Sequence, residues 1–583
     1  MKKILSCMKA REWVFFAAFI GFVTGQTLLT LTMPEYMDEI TRTIQAQGSD
    51  LNALVRPALF MLLCAAGSIV CAVFAAYFVA QITTTVTGRM REAVFQKTIS
   101  FSLAEMNGFS ASSLITRCTN DVDNIQNFSA MGLQALIQGP LMAVIAILKM
   151  GSNSTWLVAV MITIVLILAM LLTVFFISLP KNVRLQGLVD RLNRVTREHL
   201  SGLRVVHAYN GYDLQKKQFD EVNEDATRTN IFVNRTMGVL SPFLPFFMNG
   251  LSLVIYVLGA VMINNAAGPE KLDLFSQMIV FVSYALQAVS AFVIMLMAIV
   301  ALPTVVVSIR RISEVLNTKL TIIDGAGKTG KGVEGRLEFR HVSFAYPGAS
   351  EKVLSDISFT AEKGQVVAII GSTGSGKTSL MNLIPRLYDA TGGEVLVDGI
   401  NVRDYKLETL REKIGYVPQK SFLFEGTISS NIDYGKGEGF ASAVSEIKKA
   451  AEIGQSKEFI EKKEGAYDAH VEEGGSNFSG GQKQRLTISR AVCRNPEFYL
   501  FDDSFSALDF KTDAILRKKL HEYAKDATQI IVGQRIGSIM HADQILVLEK
   551  GRVVGIGTHD ELMKTCAVYQ EIAASQLSQE DIA

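Results

Sequence analysis

Val366-Val367-Ala368-Ile369-Ile370-Gly371-Ser372-Thr373-Gly374-Ser375-Gly376-Lys377-Thr378-Ser379 decides the fold of the C-terminal half. Its first five residues are a short uninterrupted apolar run, the pattern of a strand buried on both faces of a parallel sheet. The run opens directly into G-x-x-x-x-G-K-[ST] and then an apolar helix. In such a loop, the backbone N–H groups of Gly371, Ser372, Thr373, Gly374, Ser375 and Gly376 curl around phosphate oxygens. The helix that follows turns its positive end towards them. Lys377 is placed to reach β- and γ-phosphates, Thr378 to ligate Mg²⁺, and Ser379 stands beside it. The expected ligands are therefore ATP and Mg²⁺, held by an α/β P-loop domain.

A second apolar strand, Phe498-Tyr499-Leu500-Phe501, ends in Asp502-Asp503. After a P-loop in the same domain, Asp502 is the expected acid that holds the Mg²⁺ water shell.

Upstream, the chain changes character. Net charge is +1 over 583 residues, so nothing points to nucleic acid. Mean hydropathy is +0.27, and long apolar runs crowd the first 300 residues. A spanning helix needs about 20 mostly apolar residues. Six stretches meet that: Trp13 to Met33, Pro57 to Ala80, Met131 to Leu148, Thr155 to Leu179, Phe243 to Ile263, and Phe275 to Leu302. The first continues past Leu31 without a small-residue cleavage site, so it reads as a retained helix. Lys2, Lys3, Lys9 and Arg11 precede it, and Lys and Arg are dense in alternate loops. That bias puts both termini in the cytosol; the membrane expected is the plasma membrane.

The two cytosolic connections show helical periodicity and are not rich in Gly or Pro. Arms of about 25 residues reach roughly 35 to 40 Å. A short polar turn is expected at each far tip, near Asn107 to Leu114 and near Tyr209 to Lys216. Such tips are expected to dock on a cytosolic domain. The six cysteines form no C-x-x-C pair and read as reduced thiols. The domains expected are a membrane domain over 1–316, a linker over 317–334, flexible by its glycines, and a nucleotide-binding domain over 335–583.

Between the two nucleotide strands lies Asn477-Phe478-Ser479-Gly480-Gly481-Gln482. With it the sequence resembles the ATP-binding-cassette superfamily, whose signature is L-S-G-G-Q, and the companion motifs follow in the family's order. Tyr346 fits the aromatic that stacks on adenine, Gln419 the Q-loop residue that also reaches Mg²⁺, and Ser506-Ala507-Leu508-Asp509 the D-loop. The resemblance covers nearly the whole chain and is nearest to the bacterial heterodimeric multidrug exporters. It implies a six-helix all-α transmembrane domain of exporter type joined to the α/β cassette. It also implies a head-to-tail dimer, in which Ser479, Gly480, Gly481 and Gln482 of one cassette complete the ATP site of the other. The second loop tip should then cross to the partner's cassette.

Two positions depart from the family pattern. The residue after the strand acid is usually Glu, and here it is Asp503. The switch histidine is replaced by Gln534. Losing one methylene withdraws the carboxylate by roughly 1 to 1.5 Å, and positioning errors near 1 Å can lower a rate about 10²-fold. Gln534 hydrogen-bonds but does not become cationic near neutral pH. The expectation is a degenerate-site subunit of a heterodimer, one that binds ATP and lends its signature to a hydrolytic partner site. The alternatives are a homodimeric lipid flippase or exporter with slow ATPase, and an ATP-sensing regulatory subunit. An apolar cavity in the spans carrying Asn249, Gln277 and Gln287, with Phe281, Tyr284 and Phe292, would suit a hydrophobic or amphipathic substrate, while any one of them taken singly reads as helix packing.

Overall fold

The computed structural model describes residues 8–45, 51–150, 154–266, 270–328, 334–435 and 443–576. They fall into two compact units. One comprises residues up to Lys97 and Ser112–Asn317; the other comprises Thr98–Ala111 and the residues from Thr318 onward. The tip of the first long loop, expected to be cytosolic, thus groups with the nucleotide-binding unit rather than with the helices that carry it.

The first unit is all helix: α1 (Ala10–Gln45), α2 (Leu51–Ile99), α4 (Ala111–Cys118), α5 (Asn120–Lys149), α6 (Ser154–Ser201), α7 (Leu203–Ala208), α8 (Tyr212–Gly238), α9 (Leu240–Asn265) and α10 (Glu270–Asn317), with α3 (Leu103–Gly108) belonging to the second unit. Among the described residues, six helices are long and apolar enough to cross a membrane, as expected. In the stretch Ala53–Ile99, just 6% of the most apolar window is buried. A surface this apolar needs hydrocarbon around it. The spanning helices α1, α2, α5, α6, α9 and α10 all hold an internal proline, at Pro34, Pro57, Pro140, Pro180, Pro245 and Pro303. Prolines are tolerated in membrane helices because neighbouring groups satisfy the freed carbonyls.

Small residues bring α5 and α10 together. A Cβ on Gly139 would lie 3.1 Å from the Ala291 carbonyl and 3.0 Å from Met295 Cβ. Farther along the same two helices, buried Asp121 accepts from the Ser308 hydroxyl at 2.8 Å, and Arg117 pairs with Glu314 at 2.9 Å.

The second unit is a layered α/β structure. β1 (Leu337–Phe344) and β2 (Leu354–Ala361) join β4 (Gly392–Val397) and the short β5 (Ile400–Asn401) in an antiparallel sheet ordered β2-β1-β4-β5. The central sheet is ordered β12-β11-β3-β10-β9-β6. It is built from β3 (Val366–Gly371), β6 (Ile414–Val417), β9 (Phe498–Asp502), β10 (Thr528–Val532), β11 (Gln544–Glu549) and β12 (Arg552–Gly557), all parallel except β12. β3 and β9 are the strands expected from the sequence. In register, Ile369 faces Val532 and Val532 faces Asp502. The carboxyl ends of β3, β10 and β9 therefore finish side by side, the position at which open parallel sheets bind ligands.

Two expectations are corrected. The described part of the linker is held rather than loose: Gly325 N–H donates to the Tyr405 carbonyl at 2.9 Å, Gly327 N–H donates to the Asp404 carbonyl at 3.0 Å, and Asp324 accepts from Leu407 N–H at 2.8 Å. Glycine content there serves close approach, since a Cβ on Gly325 would lie 2.3 Å from the Arg403 carbonyl. Residues 329–333 lie outside the described set. The first loop tip is not a bare polar turn either. Ser102 and Glu105 form a capping box that starts α3.

Gly139→Val should lower the thermal midpoint of the purified protein, by the equivalent of about 1–3 kcal/mol of overpacking. Gly187→Val, where nothing lies within 4 Å of a Cβ, should leave it nearly unchanged. Unfolding followed by tryptophan fluorescence in detergent compares the two.

Candidate functional site

The phosphate loop is shaped by two close approaches. A Cβ on Gly371 would lie 2.1 Å from the Leu548 carbonyl of β11. Gly376 has φ +98° and caps α11 (Lys377–Leu383), and a Cβ there would lie 2.7 Å from Leu354. Neither position admits a side chain, which is why the loop turns on glycine.

Lys377 Nζ folds over the loop. It donates to the carbonyls of Gly371 at 2.7 Å and Ser372 at 2.8 Å, and to Ser375 Oγ at 3.4 Å. Burial pushes its pKa below the usual lysine value, against the pull of Asp503 and Asp502. The Thr378 hydroxyl donates to Asp502 at 3.1 Å. Ser379 shares a 2.8 Å hydrogen bond with the Tyr346 hydroxyl. Burial also pushes both acids above the ordinary aspartate range, Asp502 despite its bond from Thr378 and Asp503 despite its bond from Gln419.

Asp503 is the hub of the site. Its backbone takes φ +48°, a left-handed turn at the end of β9 that aspartate tolerates. One carboxylate oxygen accepts from Gln419 Nε2 at 3.0 Å and from Gln534 Nε2 at 2.7 Å. The three residues come from sequence positions far apart, and the strand register makes them neighbours.

Tyr346, Thr373, Gly374, Gly376, Lys377 and Thr378 line a cleft of about 330 Å³, together with Ser379, Gln419, Asp502, Asp503 and Gln534. The oxygen donors of Thr378 and Asp502, 3.1 Å apart, suit a hard cation that also takes phosphate and water, as Mg²⁺ does. The signature residues do not line this cleft. Ser479 caps α12 (Gly480–Arg494) through a capping box with Gln482, and Ser479 and Gly480 lie exposed. Asp509 caps α13 (Phe510–Tyr523) by accepting from Thr512 N–H at 3.0 Å, the bond that lowers its pKa.

Three participants carry no motif. Tyr388 sets its ring edge-on against Tyr346 at 5.3 Å and accepts from Asn107 of the loop tip at 3.1 Å. Glu105 accepts from Thr321 N–H at 2.7 Å. Gln576 brackets the Gln534 turn, donating to the Gln534 carbonyl at 2.7 Å and accepting from Ile536 N–H at 2.8 Å. A lone Tyr, Glu or Gln gives no periodic signal, so sequence reading passes over all three.

The membrane unit has an apolar cleft of about 700 Å³ between α5 and α10, lined by Phe128, Met131, Val293, Met297 and Val305 with the amides of Asn124 and Asn127. The side chains expected there from sequence lie elsewhere. Gln277, Phe281 and Tyr284 line a separate polar cleft with Glu35 and Asp38, and Asn249 is exposed. Gln287 and Phe292 line neither cleft. Composition picks out polar groups in the spans but not the face each occupies.

Residues 15–292 match the model of the ABC transporter transmembrane region, and residues 354–506 that of the ABC transporter. An ABC transporter ATP-binding protein of Mycobacterium tuberculosis is 37% identical over 557 residues, 94% of each chain. One from Bacillus subtilis is 34% identical over 86% of each. An ATP-dependent lipid A-core flippase of Pseudomonas aeruginosa is 28% identical, over 99% of this chain and 96% of its own. Among solved structures, a bacterial Atm1-family ABC exporter with ATP bound superposes with a TM-score of 0.81 at 22% identity, over 98% of this chain and 100% of its own.

Tyr346→Ala should weaken ATP binding by about 1–3 kcal/mol, the range of base–aromatic stacking. Tyr346→Phe keeps the ring and should bind nearly as wild type. Titration with a fluorescent ATP analogue separates stacking from the bond to Ser379.

Proposed function

The chain belongs to the ABC transporter family, with one membrane region of exporter fold and one ATP-binding domain, and from that premise we propose that it is the degenerate-site half of a heterodimeric, ATP-driven exporter. The observation that carries this reading is the double hydrogen bond from Gln419 and Gln534 to Asp503. A carboxylate that positions the attacking water must lie within about 2.6–3.2 Å of it. Here the carboxylate is short by a methylene and already committed to two amides. Lys377 and the loop amides bind phosphates, Tyr346 stacks on adenine, and Thr378 and Asp502, with Gln419, hold the water-ligated Mg²⁺. That ion, when bound, neutralises charge building on the phosphate oxygens. Nucleotide is held and turned over slowly.

The Ser479–Gln482 helix start, exposed at Ser479 and Gly480, supports a partner, whose γ-phosphate it would meet. So do two exposed apolar groups of side chains. Phe510 beside the D-loop is 78% exposed, and Tyr209, Tyr212 and Leu214 at the second loop tip are exposed too. Both termini lie in the cytosol, with the six helices in the plasma membrane. The apolar cleft with Asn124 and Asn127 suits a hydrophobic or amphipathic cargo. The flippase relative favours a lipid as one such cargo.

Purified alone, the chain should show little ATPase activity. The double variant Asp503→Glu with Gln534→His should raise it by tenfold or more, by restoring reach and a titratable switch. Ordinary substrate-stimulated turnover by the unaltered chain, or no response to the double variant, rejects the degenerate-site reading. Co-purification with a second cassette chain separates heterodimer from homodimer.

A further inference from the structure

We propose that Gln576 is a positioning residue for the switch position, acting through Gln534 to favour ATP over ADP, an inference that rests on the nucleotide-binding reading of the cleft and not on its slow turnover. The turn to be held runs from β10 into α14 (Ile536–Ile539). Its upstream side is pinned to the sheet, where Gly533 N–H donates to the Ile369 carbonyl at 3.1 Å. Its downstream side has little support of its own. α14 is a single turn, and Arg535 at its N-cap makes no side-chain cap. The Arg535 guanidinium lies instead over the Phe510 ring, 5.1 Å from its centre. The first N–H groups of a helix need acceptors from outside it.

Gln576 supplies one from 40 positions away. Its Oε1 accepts from Ile536 N–H at 2.8 Å, and its Nε2 donates to the Gln534 carbonyl at 2.7 Å. The two bonds straddle Arg535 and use both ends of one amide. Neither an alkyl side chain nor a carboxylate makes both.

The clip has a fixed base. Gln576 follows α15 (Ala567–Ala574), whose Tyr569 and Ala573 are fully buried in the core that also takes Ile536 and Ile539. The Tyr569 hydroxyl shares a 2.8 Å hydrogen bond with His559 Nδ1. With its backbone held on both sides, Gln534 presents its side chain to the phosphate cleft, where Nε2 donates to Asp503. Lys377, which reaches β- and γ-phosphates, lines the same cleft and feels the charge of Asp503. An amide placed there can donate to a γ-phosphate, which ADP lacks. A loose turn would spread the long Gln534 side chain over many rotamers and lose that contact.

Calorimetric titration of the full chain in lipid nanodiscs, with the non-hydrolysable analogue Mg-AMP-PNP and with Mg-ADP, tests this. The unaltered chain should bind the triphosphate more tightly. Gln576→Leu should weaken triphosphate binding about tenfold, the loss of one hydrogen bond to a charged acceptor, and leave ADP binding unchanged. In a Gln534→Ala background the same substitution should have no further effect. Gln576 is exposed, so its replacement leaves the core intact. In the nucleotide-free chain, Gln576→Leu should raise amide hydrogen exchange across residues 533–540. Equal weakening of both nucleotides, additive effects of the two substitutions, or unchanged exchange overturns the proposal. Equal affinity of the unaltered chain for both nucleotides also overturns it, while the slow-turnover reading is judged separately by the ATPase rate.

Discussion

The register of three parallel strands governs what the nucleotide-binding unit can do. Ile369 beside Val532 beside Asp502 brings the ends of β3, β10 and β9 to one line. From that line the chain leaves in three ways: into a glycine loop, into the Gln534 turn, and into the left-handed bend at Asp503. A slip of one residue would send every alternate side chain to the other face. The slip is resisted because these strands are buried on both faces, Phe498 through Phe501 and Ile530 through Val532 included. The site is thus assembled by the apolar core, and the polar residues only occupy the positions that the core provides.

The membrane unit obeys a different constraint. Its helices expose apolar side chains, so contacts among them are selected by fit and by scarce polar bonds rather than by water exclusion. Gly139 against Ala291 is a contact of fit. Asp121 with Ser308, and the Tyr284 hydroxyl donating to the Leu31 carbonyl at 3.1 Å, are contacts of the second kind. The apolar cleft opens along the same α5–α10 pair, where Gly132 and Ala135 leave room.

Much of this was legible in the residues. Hydropathy alone located the six spans, because a hydrocarbon solvent demands long apolar runs. The Gly371–Ser379 loop was legible because phosphate binding fixes glycine spacing. What stayed hidden depended on tertiary neighbours. Gly325 read as flexible, yet it makes a close backbone approach to Arg403. Tyr388 and Asn107 meet across 281 positions of sequence. The choice of Phe128 and Met297 over Phe292 as cleft walls is a matter of helix rotation, which composition does not encode.

Asp503 and Gln534 appear in the sequence as two separate departures from a pattern, and the structure joins them. The bend at φ +48° fixes the Asp503 backbone, with its N–H donating to the Val532 carbonyl at 3.1 Å. The following hydroxyl, of Ser504, donates to the Val417 carbonyl at 2.9 Å, so this corner has little freedom to advance. A side chain of aspartate length then ends where the two glutamine amides converge. Burial raises the pKa of this acid, and neutral amide donors favour its charged form without adding a second titrating group. A histidine at 534 would introduce such a group, and a glutamate at 503 would carry the carboxylate past Gln534. Either change alone mismatches the pair. The two residues therefore behave as one unit.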